Sequence, residues 1–176
     1  MAYMSIYDAI ETEVKKRGRF REVRSKFVIP PVRGILMTPK VDRCVFGKRT
    51  DKELNKAKMQ VEVENFIEGG QIRVAMADGK TPPSKKPEAQ WRQLEPGANE
   101  VWEIRVTFEP KIRILGRFLA PNVFVALLWA YRKDLGDPPW AECAICIKKW
   151  KRIFRTQPPF SGRTAHEYIT KLAVPC

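Results

Sequence analysis

Arg105, Arg113 and Arg117, with Lys111 between the first two, occupy the wetter positions of EVWEIRVTFEPKIRILGRF (residues 100–118). Trp102, Ile104, Val106 and Phe108 alternate with polar neighbours, which is the period of a strand. Glu109-Pro110-Lys111 interrupts, and a second run follows, so the stretch reads as a β-hairpin. Arginines on neighbouring strands converge in space, and guanidinium forks hold phosphate through paired, charge-assisted hydrogen bonds. The same residues also read as a solvated, solubilising face. Two further features favour phosphate: Arg132-Lys133 ends the next strand, where a sheet rim faces a cleft, and the aromatics Trp102, Phe108, Trp129 and Tyr131 are interleaved, as stacking on unpaired bases requires.

Other chemistries find less. Nucleophilic hydrolysis needs a base beside its nucleophile, yet the chain has one histidine, His166, in a polar tail, and no GxSxG turn. Cys143-x-x-Cys146, with Cys44 or Cys176, has the spacing of metal ligands. It falls within a helix on or near an apolar stripe and lacks a second pair, so small buried hydrophobes are the expected role. Neither GxxxxGK[ST] nor GxGxxG follows a strand, and no cofactor is expected.

A chain of 176 residues with a formal charge of +13 suits a polyanionic partner. The charge is uneven: Lys and Arg outnumber Asp and Glu nine to four over residues 1–40, eleven to ten over 41–100, and thirteen to six over 101–176. No run of apolar residues is long enough to span a bilayer. The N-terminus lacks an apolar signal core, and four cysteines make no disulfide framework, so a reduced, cytoplasmic protein without a membrane partner is expected.

The elements that position these residues follow from periodicity. Residues 4–27 read as a helix capped by Ser5, and 29–39 as a proline-containing connector or arm. VDRCVFGK (41–48) is a strand candidate, and a helix from Thr50 uses Leu54, Ala57/Lys58, Val61, Glu64/Asn65 and Ile67. QIRVAMADGK (71–80) is expected to resume as a second helix, and 81–100 to form a long loop. The hairpin and the continuously apolar NVFVALLWAY (122–131) give three strands. WAECAICIKKWKRIF (140–154) is a helix with Ala144, Ile147, Trp150 and Ile153/Phe154 inward, and TAHEYITKL (164–172) has a short helical stretch. The expected fold is α+β: a small, mainly antiparallel sheet in the order β-α(α)-β-β-β-α with helices on one side. Residues 1–40 are an extension, 41–155 the domain and 156–176 a tail.

QLEPGANEVWEIR, KIRILGRF and AYRK together resemble the RelE/HigB superfamily of type II toxins, nearest its phage-derived HigB-like branch. That branch shows an aromatic-Glu-hydrophobic-Arg strand after a Leu/Gly loop, then a basic-Arg-hydrophobic strand, then an apolar strand ending aromatic-basic-basic. The likeness covers residues 41–155 and is carried by 93–155. It implies a RelE/ParE-like fold and a ribosome-dependent mRNA endonuclease in which the ribose 2′-OH attacks the adjacent phosphate without metal. Arg113 would then hold the scissile phosphate, with Arg105 beside it. Arg132 or Lys133 would neutralise charge or serve the leaving group, and Glu103 would act as base or pair with Arg105. Arg117, Lys111, Trp102, Tyr131, Lys148, Lys151 and Arg152 would contact RNA. The implied partners are the ribosome, mRNA and a small acidic or helix-turn-helix antitoxin. A non-catalytic ParE-like gyrase inhibitor and a non-toxic nucleic-acid-binding or phage-related module are the alternatives.

Overall fold

The computed structural model describes residues 20–23, 32–47, 56–77, 88–95, 99–137, 139–170 and 173–175. The protein is α+β. Its strands are β1 (Arg21–Val23), β2 (Gly34–Met37), β3 (Ile72–Ala75), β4 (Trp91–Glu95), β5 (Val101–Val106), β6 (Ile112–Ala120), β7 (Val123–Tyr131) and β8 (Ala173–Pro175). Its helices are α1 (Pro39–Val45), α2 (Lys56–Ile67), α3 (Trp140–Phe154) and α4 (Ala165–Tyr168), with a 3-10 turn at Arg132–Asp134. The strands form one mixed sheet in the order β1-β2-β7-β6-β5-β4-β3-β8. β2 runs parallel to β7, β3 runs parallel to both β4 and β8, and the remaining pairs are antiparallel.

The sheet is larger than expected and is covered on both faces rather than one. Ile35, Met37, Trp102, Ile104, Ile114, Phe118, Phe124 and Ala126 face a core shared with α1, α2 and α4. The alternate positions Leu36, Leu115, Val123, Val125 and Leu127 face a second core closed by α3. Period-two alternation across two apolar layers is what makes β6 and β7 read as unbroken hydrophobic runs.

Several local expectations are corrected. Arg21–Val23, inside the expected 4–27 helix, is a strand; the rest of that helix, apart from Phe20, lies outside the described residues. The expected strand at 41–48 is helix α1: Pro39 fits the first helical turn, and Val41, Cys44 and Val45 recur at helical spacing and are buried. α2 buries Met59, Val63, Phe66 and Ile67, leaving Val61 exposed. The expected second helix at 71–80 is strand β3, because Gly69, at φ 81, ends α2 and Ile72 and Val74 then alternate with exposed Arg73. Strand β4 occupies part of the expected loop. In α3 the inward residues are Cys143, Cys146, Trp150, Ile153 and Phe154, with Ala144 exposed.

The segments read as extension and tail share the cores of residues 41–155. β2 pairs with β7, and Ala165, Tyr168 and Ile169 are buried against Trp102 and Phe118. Asn122, at φ 65 in the β6–β7 turn, grips the C-terminal segment: its amide N–H donates to the Tyr168 carbonyl at 2.8 Å, and its side chain exchanges bonds with Thr170. Tyr168 donates its hydroxyl proton to buried Glu100 at 2.5 Å, and Gln93 and Ser161 donate to the same carboxylate at 3.0 and 2.9 Å. Burial and the Glu100 bond push the Tyr168 phenol well above its ordinary value. Below pH 10 the phenol is protonated in both folded and unfolded chains, so its stabilisation is complete; above that the unfolded chain ionises first and stability falls as pH rises. Tyr168→Phe is expected to cost about 1–3 kcal/mol at neutral pH, because Glu100 loses a donor, and to flatten that alkaline decline in thermal melts.

Candidate phosphate-binding cluster

The face of the sheet that α3 covers is apolar over β2 and β7 and turns cationic over β4, β5 and β6. Strand register makes this cluster. Arg92 on β4 pairs opposite Glu103 on β5, and Arg105 on β5 pairs opposite Arg113 on β6. Residues 103 and 105 share a face, so the three arginines surround one carboxylate. Arg92 Nη2 lies 2.7 Å from Glu103 Oε1, Arg105 Nε 3.7 Å from the same oxygen, and Arg113 Nε 3.6 Å from Oε2.

Glu103 is 1% exposed, and the side chains of Arg92, Arg105 and Arg113 are 7%, 11% and 5% exposed. Backbone oxygens fix the forks further. Arg113 Nη1 donates to Ile112 O at 2.9 Å and Val106 O at 3.3 Å, and Arg105 Nη1 donates to Ala89 O at 2.9 Å. Burial pushes the Glu103 carboxyl above the usual range, opposed by Arg92, Arg113, Arg105 and Arg132. Burial likewise pushes the Arg113 guanidinium down to about 10, opposed by Glu103, so it stays protonated at neutral pH. Among the described residues the cluster thus gathers three buried guanidiniums around one buried carboxylate.

Arg132 guards the rim. The 3-10 turn after β7 places it there, with Nη1 donating to Leu135 O at 3.2 Å and Nη2 3.4 Å from Asp137. Its side chain is 32% exposed, which makes it the accessible fork of the group. Exposed Glu88 acts on Arg105 from outside.

The structure thus brings together Glu103, Arg105, Arg113 and Arg132, and separates the others. Lys133 is exposed and sits over the Tyr131 ring at 5.5 Å. Arg117 is buried under α3, its guanidinium 5.1 Å from the Trp150 ring, so it is neither surface charge nor an RNA contact. Lys111 pairs with Glu109 at the exposed hairpin turn. Trp102 is fully buried against Phe118 and Tyr168 on the other face, which removes it as a stacking platform. Half-buried Tyr131 packs beside Trp129 on that same face. Lys148, Lys151 and Arg152 are exposed on α3. Glu103, closed off among its arginines, positions them and does not reach out as a base.

Arg92 was missed because β4 lies in a turn-rich stretch; the alternation of Trp91 and Gln93 with Arg92 in WRQLE was its faint mark. Among the described residues no group of three or more His, Cys, Asp or Glu could hold a metal ion, and no helix is long and apolar enough to cross a membrane. No protein-family model, curated protein or solved structure matches the chain.

Removing the charge of Glu103 takes the shared carboxylate from three buried guanidiniums. Glu103→Gln is expected to destabilise the fold by about 3–5 kcal/mol, the cost of breaking a buried ion pair from one side. Denaturant unfolding measures it, and added phosphate should restore more stability to the variant than to the wild type.

Proposed function

We propose that the protein is the toxin of a type II toxin–antitoxin pair, a RelE/HigB-like endoribonuclease acting on ribosome-bound mRNA. The observation that carries this reading is the convergence of three buried guanidiniums on Glu103, with Arg132 exposed at their edge. Guanidinium forks gathered at one place favour an anion that they can share. A phosphodiester is such an anion, and the same forks stabilise the charge that develops as the 2′-OH attacks phosphorus and the P–O5′ bond breaks. The element order lends support. β5, β6, β7 and α3 follow one another as β-β-β-α over the stretch that carries the resemblance, while β3 and β4 stand where a helix and a loop were expected. In this reading Arg113 and Arg92 set the floor of the site, Arg105 its wall, and Arg132 closes on the phosphate. The partner that silences it is an antitoxin presenting acidic residues to this face.

A second reading has its own observation. The single carboxylate inside the cluster is buried, and the exposed carboxylates at its edge, Asp137 and Glu88, are drawn to Arg132 and Arg105 rather than held ready for a substrate proton. That favours a nucleic-acid-binding module that grips a phosphodiester without cutting it.

Primer extension on message from a translation extract separates the two. The endonuclease reading expects discrete cuts with wild-type protein and a loss of roughly a hundredfold in Arg132→Ala, the scale of removing one transition-state donor, at unchanged melting temperature. Arg113→Ala is the poorer test, since this residue is buried in the ion cluster and its loss also unfolds the site. Uncut message removes the enzyme, and DNA breaks beside intact message point to gyrase instead.

A further inference from the structure

Among the described residues, one side of α3 packs on the sheet. Cys143, Cys146, Trp150, Ile153 and Phe154 are buried on the sheet. At about 100° per residue, Trp140, Ile145, Lys148, Lys151 and Arg152 project together from the opposite side, and Arg155 continues the row just past the helix end. All six are exposed, Trp140 at 55% and Ile145 at 48%. This face carries four cations and no carboxylate, since the helix's acid, Glu142, lies outside the arc. Among the described residues no ion pair engages any of the four. The positive field widens at the helix flank, where Lys149 donates to Leu127 O at 3.0 Å and feels Lys40 and Arg152.

The direction of α3 relates this face to the arginine cluster. β7 delivers Ala130, opposite Arg113, and then Arg132 in the following turn. α3 starts at Trp140 and runs back over the sheet, for Lys149 reaches Leu127, Trp150 meets Arg117, and Phe154 stacks on Phe20. Trp140 therefore stands at the Arg105–Arg113–Arg132 end, and the lysines and arginines of the helix recede from it.

We propose that the outer face of α3 is a track for single-stranded RNA. Trp140 is its base-stacking anchor beside the arginine cluster, and Lys148, Lys151, Arg152 and Arg155 take successive phosphates. The track rests on the RNA-directed reading above and names how that site receives its strand. An exposed indole offers a flat surface that any unpaired base can stack on. Cations spaced three and four residues apart form one ridge along a helix. A polyanion fits a face with four positive charges and none to oppose them.

The test is binding of a short labelled oligouridylate to the full chain. Wild-type protein is expected to bind it in preference to a duplex of equal length, with affinity falling steeply with salt. Trp140→Ala should weaken binding roughly ten- to a hundredfold with the salt dependence unchanged, and Trp140→Phe should retain most of it. Lys151→Ala with Arg152→Ala should instead make the log–log salt slope shallower by about 1.4. All are surface changes, so melting temperature should hold. Equal affinity of Trp140→Ala and wild type, or equal binding of duplex, overturns the track. Binding to phosphatidylserine vesicles or to a polyglutamate peptide without RNA binding also overturns it, by assigning the face to another occupant. If the variants behave as expected while the protein leaves message uncut in the extract, the track stands and the endonuclease falls.

Discussion

Glu103 sits where three guanidiniums would otherwise repel one another inside a sheet. Its two oxygens are shared among Arg92, Arg105 and Arg113, and no strand in this region can shift register without moving a cation into the apolar layer. The pairing also explains why Arg113 spends two bonds on backbone oxygens. A guanidinium has five donors, and one carboxylate shared three ways cannot satisfy them. The exposed fork of Arg132 marks the side from which an anion can approach the cluster.

The rest of the architecture lets such a cluster exist. A sheet with two apolar cores has strength to spare, and α3 seals the apolar part of the cationic face without covering all of it. Bulges do the fine placement. Leu127 is the extra residue where β7 slips against β6, and its carbonyl receives both Thr38 Oγ1 and Lys149 Nζ. Opposite it Gly116 has no room for a side chain, since a Cβ there would lie 2.0 Å from Val125 O. The C-terminal segment is held as firmly by Tyr168 on Glu100, so the site stands on a closed scaffold.

The hairpin, the apolar third strand and α3 were legible because their periods are unbroken over six or more residues. α1, β3 and β4 were not. VDRCVFGK is short enough to read as a strand, yet Pro39 before it and the i, i+3, i+4 spacing of buried Val41, Cys44 and Val45 decide for a helix. β4 owes its existence to pairing with β5, a non-local cause that its turn-rich sequence hides. In the site, the arginine spacing on the hairpin was visible as alternation and did meet on one face. The burial of Trp102 was visible as well, since alternation puts it on one face with Ile104 and Val106, and that face is the core rather than a stacking platform. Arg117 looked like solvated charge because nothing in the hairpin foretells that Trp150 lies over it.

Glu103, the sheet register and the exposed fork of Arg132 converge on one central claim: the cluster is an anion site completed by phosphate. The direct measurement is thermal melting in phosphate and in chloride at equal ionic strength, since a ligand that binds only the native state raises the melting temperature with its concentration. A melting temperature that climbs with phosphate, and a gain that disappears in Arg132→Ala, is the expected result. Identical melting curves in the two salts would contradict the account.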